Sequence, residues 1–341
     1  MDLSSDPRLG AYLASQAPYF ATQDLSQDLT RKTYIESYIS LGLALLFLVL
    51  RLWARFRRAF GYGLDDLIII LAFFFLGGNL GCVIILVQNG VGLHSGALTL
   101  PQVMQIGKAS TSAVLVLNEV LYVTNINLIK ISVLVMYFRF FPVRLMRLGG
   151  LVLGTISSLW NVSLIVLAIT QCVPFKKIYA PWVEGNCINL KATFLAIAVP
   201  SIMTDVAILS LPLPLVWRLQ TKVWQKISLT AVFLLGSFVV FASIYRFIIF
   251  VHYNPNDLPY TLAPGLAWNM IELSSGIVSA CLPTLGPFIR KFMKKIGDTA
   301  KSVGDIRNSQ TRSGAQSRIE ERSKNKQISS SDASNTKENI T

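Results

Sequence analysis

Charge is scarce in this chain: only 14% of its 341 residues are Asp, Glu, Lys or Arg, 52% are hydrophobic, and the mean hydropathy is +0.52. An ordinary soluble domain carries roughly 25% charged residues, so this composition excludes one and indicates a polytopic membrane protein. Histidine occurs only twice, at His94 and His252. Even joined by Asp257 or Glu184, the two show no ligand spacing such as HxxxH, so no metal centre is expected. A phosphate-cradling glycine loop and a GxSxG nucleophile turn are also missing. Residues 1–30 are polar and mixed in charge rather than a charged-then-apolar leader, so the first span is expected to direct its own insertion.

What is present is a series of apolar runs, each near the 20 residues a helix needs to cross hydrocarbon. They fall near 34–53, 66–88, 112–138, 147–171, 191–217, 226–251 and 265–288. The predicted fold is an all-α membrane protein, a bundle of seven transmembrane helices. Basic residues set its orientation. The connections after the first, third and fifth spans hold ten Lys and Arg, Arg55, Arg58, Arg144 and Arg218 among them, whereas the other three connections hold four. The positive-inside rule then places the amino terminus outside and the carboxyl terminus in the cytoplasm. The net charge of +13 follows the same pattern, so anionic lipid and a cytoplasmic protein are the expected partners and nucleic acid is not. Four segments result: a short polar one over 1–33, the spans over 34–288, a basic amphipathic interfacial helix over 289–299, and a Ser- and Lys-rich disordered tail over 300–341. Plasma membrane and endomembrane are not distinguished.

Five ionisable residues fall well inside the runs: Glu119 and Lys130 in the third, Asp205 in the fifth, Arg246 in the sixth and Glu272 in the seventh. Each costs at least about 2.5 kcal/mol against lipid, so each is expected to face the interior. Glu119 and Lys130 are eleven residues apart, about 16 Å along one helix, too far to pair. Counting depth from the span ends groups Glu119, Arg246 and Glu272 in the outer half. There they are expected to line an outward-opening cavity for a small molecule, with Trp268 on the wall one turn before Glu272 and Asp205 at the floor. Lys130 is assigned a separate inner contact. The alternative is that these charges, with Asn118, Asn125 and Asn127, only hold helices together. Asp65 and Asp66 stand close to "RLWARFRR" and are expected to pair with Arg55 and Arg58, locking the first inner connection.

Of four cysteines, Cys82 and Cys281 lie in spans as packing residues. Cys172 and Cys187 share "QCVPFKKIYAPWVEGNC" on the expected outer, oxidising face, where a disulfide is favoured and two free thiols are the alternative.

Several fragments, weak singly, recur in one order: "RAFGYGLDD", "GVGLH", "KISVLVMYFRFF", "QCVPF", "GNC", "TDVAILSLPLPLVWRL", "GSFVVFASIYRF" and "WNMIELSSGIVSACLPTLGP". Together, from Tyr34 to Arg290, they resemble the fungal rhodopsin-domain family of integral membrane proteins, which includes Pth-type receptor-like proteins and a satratoxin-cluster membrane protein. The resemblance implies a rhodopsin-like seven-helix bundle, and Asp65, Asp66, His94, Lys130, Cys172, Cys187, Asp205, Arg246, Trp268 and Glu272 coincide with its pattern. No retinal cofactor is expected, because the seventh run, Gly265 to Phe288, contains no lysine for a Schiff base. The third span ends "MYFRFF" without an acid-Arg-Tyr motif and the seventh "LPTLGP" rather than NPxxY, so coupling to a G protein has no motif behind it.

Three functions compete. One is a receptor-like sensor of a small ligand. Another is a membrane enzyme or carrier of secondary metabolism, with Glu119, Asp205 or Glu272 as a proton donor. The third is a scaffold that uses the tail. Whether the protein is an enzyme stays open, with the sensor preferred.

Overall fold

Seven long helices make up nearly all of the computed structural model over its described residues, 26–57, 63–98, 109–140, 143–173, 184–188, 190–212, 223–252 and 257–285. Arg58, Pro214, most of the polar segment 1–33, the interfacial helix 289–299 and the tail 300–341 lie outside them. The helices are α1 Thr30–Phe56, α2 Leu64–Gln88, α3 Ala109–Phe140, α4 Arg144–Ile169, α5 Leu190–Ser210, α6 Val223–Val251 and α7, 258–285. Between α4 and α5 a two-stranded antiparallel hairpin pairs β1 Cys172–Val173 with β2 Asn186–Cys187.

The side-chain pattern is the reverse of a soluble bundle. Along α1, Thr33, Ser37, Ser40, Ala44, Leu48 and Arg51 recur every three or four residues and are buried, while Ile39 and Leu46, 65% and 54% exposed, point outward. Small residues let helices approach closely where burial against lipid supplies no driving force. The hydroxyls need no water: Ser37 donates to the Thr33 carbonyl at 2.7 Å and Ser40 to that of Glu36 at 2.7 Å.

Among the described residues five helices are long and apolar enough to cross a membrane: α1, α2, Ser110–Arg139 of α3, α4, and Phe233–Val251 of α6. This is a helical membrane protein. In α5 the apolar stretch is shorter, Ala196–Ser210. The helix was expected to reach residue 217 but ends at Ser210, because Pro212 disfavours helical geometry at Leu211 before it. In α7 the apolar run is interrupted by Asn269, Glu272, Ser274, Ser275 and Thr284, several of them buried. The helices are not equivalent in position. Half of the apolar window of α3 is buried, against 17% for α4 and 11% for α6, so α3 is the central helix and α4 and α6 are peripheral. The main core joins Leu48, Leu76, Leu86, Tyr122, Met270 and Ile277; a smaller cluster joins Leu134, Met136, Tyr137 and Ile208.

At one end of the bundle, "GVGLH" fastens three helices. Gly92 accepts a hydrogen bond from the Leu29 amide at 3.1 Å and donates to the Pro259 carbonyl at 3.0 Å, joining the end of α2 to the starts of α1 and α7. Its φ is +112°, and a Cβ there would sit 3.0–3.2 Å from Thr30. Both the left-handed conformation and the close approach demand glycine. Gly92→Ala is expected to lower stability by about 1–3 kcal/mol, read as a drop in melting temperature of the purified protein; an unchanged midpoint would remove glycine's role.

Candidate functional site

Several groups of buried charge and several cavities occupy the bundle interior. At the end opposite Gly92, Arg51 is fully buried. Its Nε donates to Asp66 Oδ1 at 2.8 Å, its Nη2 to Asp65 Oδ2 at 2.6 Å and its Nη1 to the Ala280 carbonyl at 2.5 Å. Arg55 bonds the same two carboxylates, with Nη2 on Asp65 and Nε 3.0 Å from Asp66. Arg139 of α3 stands 3.5 Å from Asp65. Asp66 also caps α2, accepting from the Gly63 amide at 3.1 Å. Asp65, Asp66 and Arg55 therefore meet, and the residue at the centre is Arg51, which lies outside the expected pairing. Its signal was its spacing, four residues before Arg55 on the same face.

Midway, Lys130 of α3 and Asp205 of α5 lie 3.1 Å apart, with side chains only 8% and 13% exposed. Lys130 Nζ also donates to the Ser201 carbonyl and hydroxyl, both at 3.1 Å, and to Thr204 Oγ1 at 2.9 Å. Lys130 thus has contacts apart from the outer cavity, and Asp205, expected at the cavity floor, is instead its partner. Lys130 stands between two small cavities of about 30 and 70 Å³, and Asp205 lines the second.

Toward the Gly92 end, α3, α6, α7 and the hairpin enclose a cavity of about 270 Å³, near the lower limit for small-molecule sites, roughly 300–1,000 Å³. Glu119 and Asn118 of α3, Arg246 of α6 and Asn269 of α7 supply polar groups to walls that are otherwise mostly apolar. Cys172 and Cys187 are bonded to each other and line the cavity mouth. Gln171, next to that disulfide, donates its amide to Glu119 Oε2 at 2.5 Å. The hairpin thus holds one of the cavity's charges.

Glu272 is not in the wall but beneath it. It accepts from the Tyr122 hydroxyl at 2.7 Å and from the Ser243 hydroxyl, and its carboxylate lies 3.7 Å from Arg246 Nε. Arg246 covers it, donating to Asn269 Oδ1 at 3.1 Å with its guanidinium 4.1 Å from the Tyr122 ring centroid. Trp268 does not line the cavity either: its ring packs 4.3 Å from that of Tyr245 in the α6 contact. The cavity face of α7 is Leu262, Gly265, Leu266 and Asn269, a three-four repeat that position 268 misses by about 100°. Tyr122, Ser243, Gln171 and Asn269 were not singled out in the sequence. Asn269 alone had a local signal, one turn before Glu272.

The two histidines have separate partners. His94 Nδ1 lies 2.5 Å from Asp257 Oδ2 and its ring stacks on Tyr260 at 3.7 Å, whereas His252 Nδ1 faces its own helix at the Ile248 carbonyl, 2.9 Å away.

Residues 50–291 match the model of the fungal rhodopsin domain. The chain is 31% identical over 232 residues to a SAT4 family membrane protein of Emericella nidulans, covering 66% of this chain and 57% of that protein. It is 26% identical to satratoxin biosynthesis SC1 cluster protein 4 of Stachybotrys chartarum, covering 52% of this chain and 63% of that one. Receptor GIN3 of Arthrobotrys oligospora is 27% identical over 62% of this chain and 53% of its own length. The chain thus spans 53–63% of the length of these relatives. With the domain match covering well over half of the sequence, the chain belongs to the fungal rhodopsin domain family.

Proposed function

We propose that the protein is a seven-span, receptor-like sensor whose cavity between α3, α6 and α7 takes a small molecule. The observation that carries this reading is the shape of the site: an apolar cavity of about 270 Å³ in which Glu119 and Arg246 are held by partners rather than buried against each other. Groups that only glue helices would be expected to close on one another. The amino terminus is outside in this reading, which agrees with the basic connections and puts the Cys172–Cys187 disulfide on the oxidising side. The cavity then opens outward, and the basic connections and carboxyl-terminal region face anionic lipid and a cytoplasmic partner. Helix α7 has no lysine, so light absorption through a retinal Schiff base is no part of the reading.

The relatives support a role bordering secondary metabolism, since one is named for a biosynthetic cluster and another as a receptor. An acid-catalysing membrane enzyme is the second reading, favoured by the presence of Glu119 in the cavity wall. Strains carrying Glu119→Gln at normal protein level separate the two. A sensor is expected to lose about tenfold in sensitivity of its transcriptional response, about 1.4 kcal/mol of binding, with the metabolite profile otherwise intact. An accumulating precursor with an unchanged response would overturn the sensor and establish chemistry at Glu119.

A further inference from the structure

Resting on the sensor reading, the wall chemistry narrows the ligand class: we infer that the cavity selects a protonated amine on an apolar body. Two acceptors adjoin in sequence on α3 and both line the cavity. Asn118 is 4% exposed, and its Oδ1 is buried with no hydrogen-bond partner among the described residues. A buried amide oxygen without a donor is strongly disfavoured and is found where a ligand or water completes it. Beside it, the Glu119 carboxylate receives one bond from the neutral Gln171 amide and has no ion pair among the described residues.

The charge balance points the same way. The single cation among the described residues of the wall, Arg246, already faces Glu272 at 3.7 Å, gives Nη1 to Asn269 and lies against the Tyr122 ring. Deeper in the bundle, Lys130 and Asp205 neutralise each other at 3.1 Å. Among the described residues one carboxylate of the wall, Glu119, is left without an ion pair. An ammonium group would supply the missing charge to Glu119 and an N–H to Asn118 Oδ1, bonds that are roughly twice as strong as neutral ones. A carboxylate ligand would meet a carboxylate and a carbonyl oxygen, and an alcohol would satisfy Asn118 while leaving Glu119 unmatched. Leu115, Val123, Ile188, Leu262 and Leu266 provide the apolar remainder of the wall.

The test compares three probes of equal frame, 2-phenylethylamine, 2-phenylethanol and phenylacetate, for binding by calorimetry and thermal shift to the full chain in lipid nanodiscs. The amine is expected to bind at least about tenfold tighter than the alcohol, with phenylacetate weakest. Glu119→Gln should erase the amine's advantage over the alcohol. Asn118→Leu should weaken the amine about tenfold while leaving Glu119-dependent discrimination against phenylacetate. Where a variant fails to fold, the ranking of the three probes on the unsubstituted chain decides alone. Equal binding of all three, or preference for phenylacetate, overturns the amine inference and leaves the sensor standing. Binding of none overturns the inference too, and the sensor then stands or falls on the transcriptional response of the Glu119→Gln strain.

Discussion

Arg51→Leu is expected to abolish most folded protein, seen as loss of the monodisperse peak in fluorescence-detected size exclusion and a collapse of the melting temperature. Arg51 is 0% exposed, and its three donor nitrogens serve Asp65, Asp66 and the Ala280 carbonyl. Removing it strips one bond from each carboxylate and one from α7, in a place where no water substitutes. Breaking a buried ion pair from one side destabilises by about 3–5 kcal/mol, a large part of the total of roughly 5–15 kcal/mol typical of a folded domain. Arg51→Lys keeps the charge but loses the planar fork that reaches three acceptors at once, so it is expected to fall between the two. Arg51→Leu combined with Asp66→Leu is expected to cost less than the sum of the two single changes, because both remove the same Arg51–Asp66 bond. A single variant that melts like the unsubstituted chain would mean that Arg55 and Arg139 satisfy both aspartates without Arg51.

The consequence for the fold is a division of labour along the bundle. At the Arg51 end, α1, α2, α3 and α7 are fastened by charge; at the other end, Gly92 ties α1, α2 and α7 through backbone bonds, and His94 holds Asp257 beside it. The cavity sits at the end away from the Arg51 cluster, beneath a hairpin whose disulfide constrains it.

The helices were legible because apolar runs near 20 residues have few other readings, and the polar stripe of α1 is written in its own periodicity. The pairing of charges was less so. Depth was counted from the ends of the runs, which presumes straight helices of equal reach. Helix α5 contains Pro200 and stops at Ser210, so Asp205 sits deeper relative to α3 than the count allowed, opposite Lys130. Trp268 and Glu272 share a helix face to within about 40°, yet Tyr245 draws the indole into the α6 contact and Tyr122 with Ser243 draws the carboxylate below the cavity. Those three captures are contacts between residues 23 to 150 positions apart, and nothing local announces them. Asn118 was visible as a polar residue but not as an unsatisfied one, since that depends on what the neighbouring helices fail to supply.

Lys130→Met is expected to be nearly as damaging as Arg51→Leu, about 3–5 kcal/mol, and more informative about function. The substitution keeps the length of the chain and removes four contacts: Asp205 at 3.1 Å, the two Ser201 oxygens and the Thr204 hydroxyl. Asp205 would remain in the interior without its ion-pair partner. The small cavities on either side of Lys130, about 30 and 70 Å³, are each large enough for at least one water, so the carboxylate's cheapest relief is hydration of the bundle centre. Lys130→Met with Asp205→Leu removes both charges and is expected to restore most of the folded yield. That double variant keeps Glu119, Asn118 and Arg246 in place, so the amine inference requires it to bind the amine probe with unchanged affinity. Whether it still responds in the cell then assigns the α3–α5 pair: a silent receptor that binds normally would make Lys130 and Asp205 the link between the cavity and the far end of α5, and a normal response would make them a structural clamp.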